Sequence, residues 1–80
     1  MRARVLVTLK REVLDPQGEA VRRGLDALGV LGVRSVRVGK MVELELDGTR
    51  EEAELQVNDA AKKLLANPVI EDVRVEWPDG

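Results

Sequence analysis

Ser35 is the chain's one serine, and no cysteine, histidine or tyrosine accompanies it in 80 residues. Nucleophilic catalysis needs a nucleophile beside a base. Ser35 instead lies within the alternating stretch VRSVRV and reads as a strand residue. Carboxylates could do acid–base work. Glu43, Glu45 and Asp47 fall on one strand face, and Glu51, Glu52 and Glu54 gather at a helix start. A solvated face and a first turn that complements the helix dipole account for both groups. No loop has the spacing of a calcium site. VRVGK lacks the extra glycines and the Ser or Thr of a phosphate-binding loop. The sequence therefore offers no catalytic residue and no metal ligand set. The chemistry left to it is recognition by charge and by apolar surface.

The charge is uneven. Residues 1–40 hold nine basic and four acidic side chains, a net +5, and residues 41–80 hold four basic and eleven acidic, a net −7. The basic residues alternate with apolar ones and do not cluster. This favours pairing of the two halves, in the fold or across a subunit interface, over a nucleic-acid surface. Eighty residues make one domain, spanning 1–80. So short a chain is marginally stable alone, and small domains usually need a staple. Without cysteine or histidine, disulfides and the commonest metal ligands are gone. Self-association is the staple that remains. The apolar runs are far shorter than the roughly 20 residues of a membrane span, so a cytoplasmic protein is expected.

Elements follow from periodicity. ARVLVTL puts Ala3, Val5, Val7 and Leu9 on one face of a strand, with Leu6 on the polar face. Asp15 suits an N-cap and Pro16 the first helical position. Val21, Leu25 and Leu28 form a helical stripe that Gly29 ends. Gly24 lies on the same stripe, which suggests close packing of helix on sheet. VRSVRVGKMVELELDG reads as two strands joined at Gly39-Lys40 by a two-residue turn. Thr49 and Glu52 fit a capping box. The second helix, from about Arg50 to Ala66, carries Ala53, Val57, Ala60, Ala61 and Leu64 on its apolar side. Asn67-Pro68 stops it. Val73, Val75 and Trp77 then alternate in a last strand, before a polar PDG tail.

The order predicts an α+β fold of two layers, β-α-β-β-α-β, with two helices on one face of an antiparallel sheet in a ferredoxin-like arrangement. An RNA-recognition domain of that topology needs aromatics on its central strands, and these strands have none. A small-molecule-sensing module of the ACT type is permitted by topology, but no distinctive residue supports it.

Three collinear stretches carry a resemblance: VLDPQGEAV (13–21), GVRSVRVGKMVEL (32–44) and LLANPVIEDVRVE (64–76). Together they resemble PurS, the small subunit of phosphoribosylformylglycinamidine synthase, along nearly the whole chain. Val73 departs from it, standing where an aromatic is common. The resemblance implies a non-catalytic subunit of a purine-biosynthetic complex. It would bridge a glutaminase subunit and a large ATP-dependent synthetase subunit and assist ammonia transfer between them. ATP and magnesium would be handled by the synthetase subunit, with no cofactor in this chain. Partners would be those two subunits and further copies of the chain, as dimer or tetramer. Capping, turn and helix stop account for most of the motif residues. Arg37, Lys40, Glu71 and Asp72 are the charged candidates for partner or subunit contacts, and Leu55 and Ile70 the apolar ones.

Overall fold

The computed structural model describes residues 1–78; Asp79 and Gly80 of the expected tail lie outside the described residues. Strand β1 (Arg2–Leu9) is central. It pairs antiparallel with β2 (Lys40–Glu45) on one side and β3 (Glu71–Glu76) on the other, giving the order β2-β1-β3. Val5 lies opposite both Val42 and Val75. The alternation in β1 works as expected: Ala3, Val5 and Val7 are fully buried, and Leu6 lies on the opposite face. Helix α1 (Pro16–Ala27) follows β1, and α2 (Arg50–Ala60) follows β2. The α+β class, the antiparallel sheet and the two helices agree with the sequence.

Helix α2 supplies the second layer. Val57 and Ala61 pack with Ala3, Val5 and Val7 of β1, and Ala53, one turn earlier, is also buried. Thr49 Oγ1 accepts the Glu52 N–H at 3.2 Å, as the capping pattern predicts. The stripe then departs from expectation. Residues Ala61–Leu65 form one π turn, closed by Ala66 N–H donating to Ala61 O at 3.0 Å. The wider turn advances the phase by one residue. Leu64 is therefore turned out and 82% exposed, while Leu65 packs on the core in its place.

The strand expected over 33–38 is not formed. A two-residue turn with glycine first needs a positive φ at that glycine. Gly29 and Gly48 have positive φ among the described residues; Gly39 does not. The chain runs through Gly39 without folding back, and a Cβ there would lie 2.6 Å from Val7 O. Residues 33–38 take up no regular secondary structure and join no sheet.

Helix α1 consequently stands off the sheet, and its expected stripe is not buried. Val21 is exposed, Leu28 is 81% exposed, and only Leu25 is half-buried. Nothing lies within 4 Å of a Cβ placed on Gly24, so that glycine serves no packing within the chain. The helix is held by its ends and its surface. Gly29, at φ +86°, lets Val30 N–H reach Leu25 O and Gly29 N–H reach Asp26 O, a Schellman closure. Arg22 bridges Glu19 and Asp26 along one side. Its guanidinium holds the Glu19 carboxyl below the usual range. The result is a body with an arm: the radius of gyration is 15.8 Å, against about 12 Å for a compact chain of this length.

Candidate functional site

The arm meets the body around Asp15. The residue caps α1, as its position before Pro16 predicts: Oδ1 accepts the Gly18 N–H at 3.0 Å. Its other oxygen, Oδ2, accepts the Val38 N–H at 2.8 Å. One carboxylate thus ties the helix start to the segment 23 residues on. Gly18 makes the approach possible, since a Cβ there would lie 2.0 Å from Val36 O. Arg37 closes the other side by donating to Val13 O and Arg11 O. Sequence reasoning found the cap but not the bridge, because nothing local marks Val38 as its second donor.

Hydrogen bonds from Gly18 first and Val38 second hold the Asp15 carboxyl below its ordinary value of 3.8. A depressed folded pKa gives stability that is present above the unfolded pKa and lost as pH falls through the folded one. Asp15→Asn keeps the side chain's shape and removes the titration. It is expected to flatten the loss of stability below about pH 4, read as Tm against pH by circular dichroism. At neutral pH, Asp15→Ala is expected to lower Tm by roughly 4–8 °C, since it removes the cap.

Five of the six sequence candidates gather at this end of the sheet. Lys40 lies opposite Val7, and Asp72 and Glu71 lie opposite Thr8 and Leu9. Lys10 N–H donates to Ile70 O. An open cleft of about 440 Å³ is lined by Lys40 and Glu71 together with Asp15, Gly39 and Leu9. Arg37 lines the neighbouring cleft, of about 360 Å³, on the far side of Asp15. Leu55 is apart from them, 73% exposed on the outer side of α2.

Two of the charged candidates have work within the chain. Arg37 holds the 11–13 turn, as described. Glu71 Oε1 accepts the Asn67 N–H at 2.7 Å, while Asn67 O accepts the Glu71 N–H at 2.8 Å. Asn67 Oδ1 also accepts the Val69 N–H. These bonds close the bend between helix and last strand, so Glu71 belongs to the same stop as Asn67 and Pro68. Lys40 and Asp72 are exposed. At the other end, the Arg50 guanidinium lies 4.3 Å from the Trp77 ring, a cation–π contact not foreseen from sequence. Among the described residues no helix is long and apolar enough to cross a membrane. No group of three or more carboxylates among them is placed to hold a metal. The arrangement can present charged and apolar surface at a cleft-lined end, along a free sheet edge and on an open arm.

Comparison with known proteins places this geometry. Residues 2–79 match the family model PurS, described as phosphoribosylformylglycinamidine (FGAM) synthase. The PurS subunit of Mycobacterium leprae is 51% identical over 71 residues, covering 89% of this chain and 87% of that one. The Bacillus subtilis PurS subunit is 43% identical, covering 94% and 89%. Its crystal structure superposes with a TM-score of 0.84 over 94% of each chain. A chain of the Thermotoga maritima PurLQS structure is 34% identical, with a TM-score of 0.87 over 94% of this chain and 93% of that one. The family match over residues 2–79 takes in the arm as well as the body.

Proposed function

The chain belongs to the PurS family of phosphoribosylformylglycinamidine synthase subunits, and from that membership we propose how a subunit without a nucleophile serves such an enzyme. It is the PurS subunit of FGAM synthase and acts in purine biosynthesis. It works as an adaptor. It bridges the glutaminase subunit, which releases ammonia from glutamine, and the large synthetase subunit. The synthetase uses ATP and magnesium to activate the amide oxygen of formylglycinamide ribonucleotide; ammonia then displaces the phosphate. Ammonia lost to water between the two sites is lost to the reaction, so an adaptor matters without touching a bond. The chain self-associates as a dimer or tetramer and works in the cytoplasm. Arg37, Lys40, Ile70, Glu71 and Asp72 at the clefted end, with Leu55 on α2, contribute the contacts. The observation that carries this reading is the likeness, over nearly the whole chain, to a chain of a PurLQS structure.

Reconstitution tests it. Purified synthetase and glutaminase subunits are assayed with and without this chain, on glutamine and on free ammonium. Glutamine-dependent turnover is expected to need the chain, and ammonium-dependent turnover to persist without it. If both rates ignore the chain, the adaptor reading fails.

A further inference from the structure

Strand β3 is an edge of the sheet, and its main-chain groups divide in two. Lys10 N–H donates to Ile70 O, which continues the β1–β3 register and makes those two a bonded pair. Bonded pairs of an antiparallel ladder fall at every second residue. Asp72, Arg74 and Glu76 therefore turn their N–H and C=O toward β1, while Glu71, Val73 and Val75 turn theirs outward. The outward N–H of Glu71 goes to Asn67 O at 2.8 Å. Among the described residues nothing takes those of Val73 and Val75. Two open main-chain residues on a sheet edge are a template for another strand.

The side chains of the same two residues are open too. They lie opposite Val7 and Val5 on the core face, yet Val73 is 39% exposed and Val75 only half-buried. They line a groove of about 310 Å³ together with Ala61, Ala66 and Pro68. The π turn shapes it, by closing Ala66 on Ala61 and turning Leu64 out to solvent. Such turns are frequent at functional sites.

The charges say which strand fits. On the opposite face Asp72, Arg74 and Glu76 alternate in sign. Arg74 pairs with Glu76 at 3.3 Å, and Asp72 has no ion pair among the described residues. A second copy of β3 fits badly. The antiparallel register that uses both open residues of each copy sets Val73 against Val75, and with them Asp72 against Glu76 and Arg74 against itself. Like charges directly opposite each other are destabilising. An incoming segment with basic, acidic and basic side chains opposite Asp72, Arg74 and Glu76 pairs at all three.

We propose that the β3 edge receives an extended segment of a partner subunit as the sheet's next strand. The segment bonds to the main chain of Val73 and Val75 and sets apolar side chains beside theirs in the groove. Its pattern is basic–apolar–acidic–apolar–basic. This rests on the adaptor reading above and deepens it, by naming the surface and the mode of contact.

Amide hydrogen exchange tests it residue by residue. The isotope-labelled chain is measured alone and after mixing with purified synthetase and glutaminase subunits, with ATP, magnesium and glutamine present, and sedimentation reports binding. The Val73 and Val75 amides are expected to exchange fast in the chain alone and to slow by about tenfold or more in the complex. Those of Asp72 and Arg74, already bonded to β1, change less. Val73→Pro removes an outward donor and leaves the ladder with β1 whole, as proline on a sheet edge can. It is expected to weaken binding about tenfold with the circular dichroism spectrum retained. Asp72→Arg reads the charge pattern without touching the backbone and is expected to weaken binding about threefold. Binding with fast exchange at Val73 and Val75, or with full affinity in both variants, overturns the strand addition and leaves the adaptor reading standing. Slow exchange in the chain alone puts a second copy on the edge and overturns the partner segment. No binding to either subunit overturns both readings.

Discussion

Replacing Val57 with aspartate is expected to unfold the chain at room temperature. Val57 is 1% exposed and packs with Ala3, Val5, Val7 and Ala61, which together are the buried cluster. No residue there is larger than valine, so the cluster has little apolar surface to spare. A carboxylate in that position has no partner and cannot reach water without separating α2 from the sheet. Burying an uncompensated charge costs about 3–5 kcal/mol, and the lost valine burial adds about 1.5–3 kcal/mol. A chain this short falls toward the low end of roughly 4–12 kcal/mol of stability. The far-ultraviolet circular dichroism spectrum should lose its native shape, and the thermal transition should vanish. Val57→Ala is the graded control, destabilising by about 1–3 kcal/mol through lost burial and the cavity left behind. A cooperative transition surviving in Val57→Asp near the parent Tm would mean that α2 does not hold the core.

The same cluster shows what periodicity can and cannot report. Alternation in β1 and the spacing of Ala53, Val57 and Ala61 state which side chains seek burial, and both were legible because a single partner layer satisfies them. Val21, Leu25 and Leu28 state the same for α1, yet the layer that should receive them is not presented by the same copy. Periodicity names the face that needs covering and is silent about which molecule covers it. Gly39 fits a tight turn by type, but glycine adopts negative φ as readily as positive, so residue identity could not decide whether a hairpin forms there. The π turn at Ala61–Leu65 has no signal in its residue types, which is why Leu64 was placed inward. The candidate surface divides in the same way. Asp15 and Asn67 were readable because caps and helix stops are local. The second bond of Asp15, to Val38, and the locking of Asn67 by Glu71 depend on where the chain returns, and that is decided by tertiary structure.

Gly18→Ala is the substitution for which local and tertiary reasoning predict opposite signs. In an exposed first turn, alanine for glycine favours the helix by up to about 1 kcal/mol. At Gly18 the added Cβ would stand 2.0 Å from Val36 O and 2.9 Å from Asp15 Oδ2. The Val36 contact is with backbone, which cannot rotate away. The segment around Val36 must retreat from the helix start, and the bond from Val38 to Asp15 lengthens or breaks. Overpacking of this kind costs about 1–3 kcal/mol, or a Tm lower by roughly 4–24 °C. A raised Tm would show that the arm is not tied to α1 at Val36. Gly24→Ala on the same helix then reads what lies beyond the chain. Nothing of its own copy is within 4 Å, so an isolated chain gains the full helical preference. Gly24→Ala is therefore expected to raise Tm by a few degrees. A lowered Tm would show that this face of α1 packs against a surface outside its own copy.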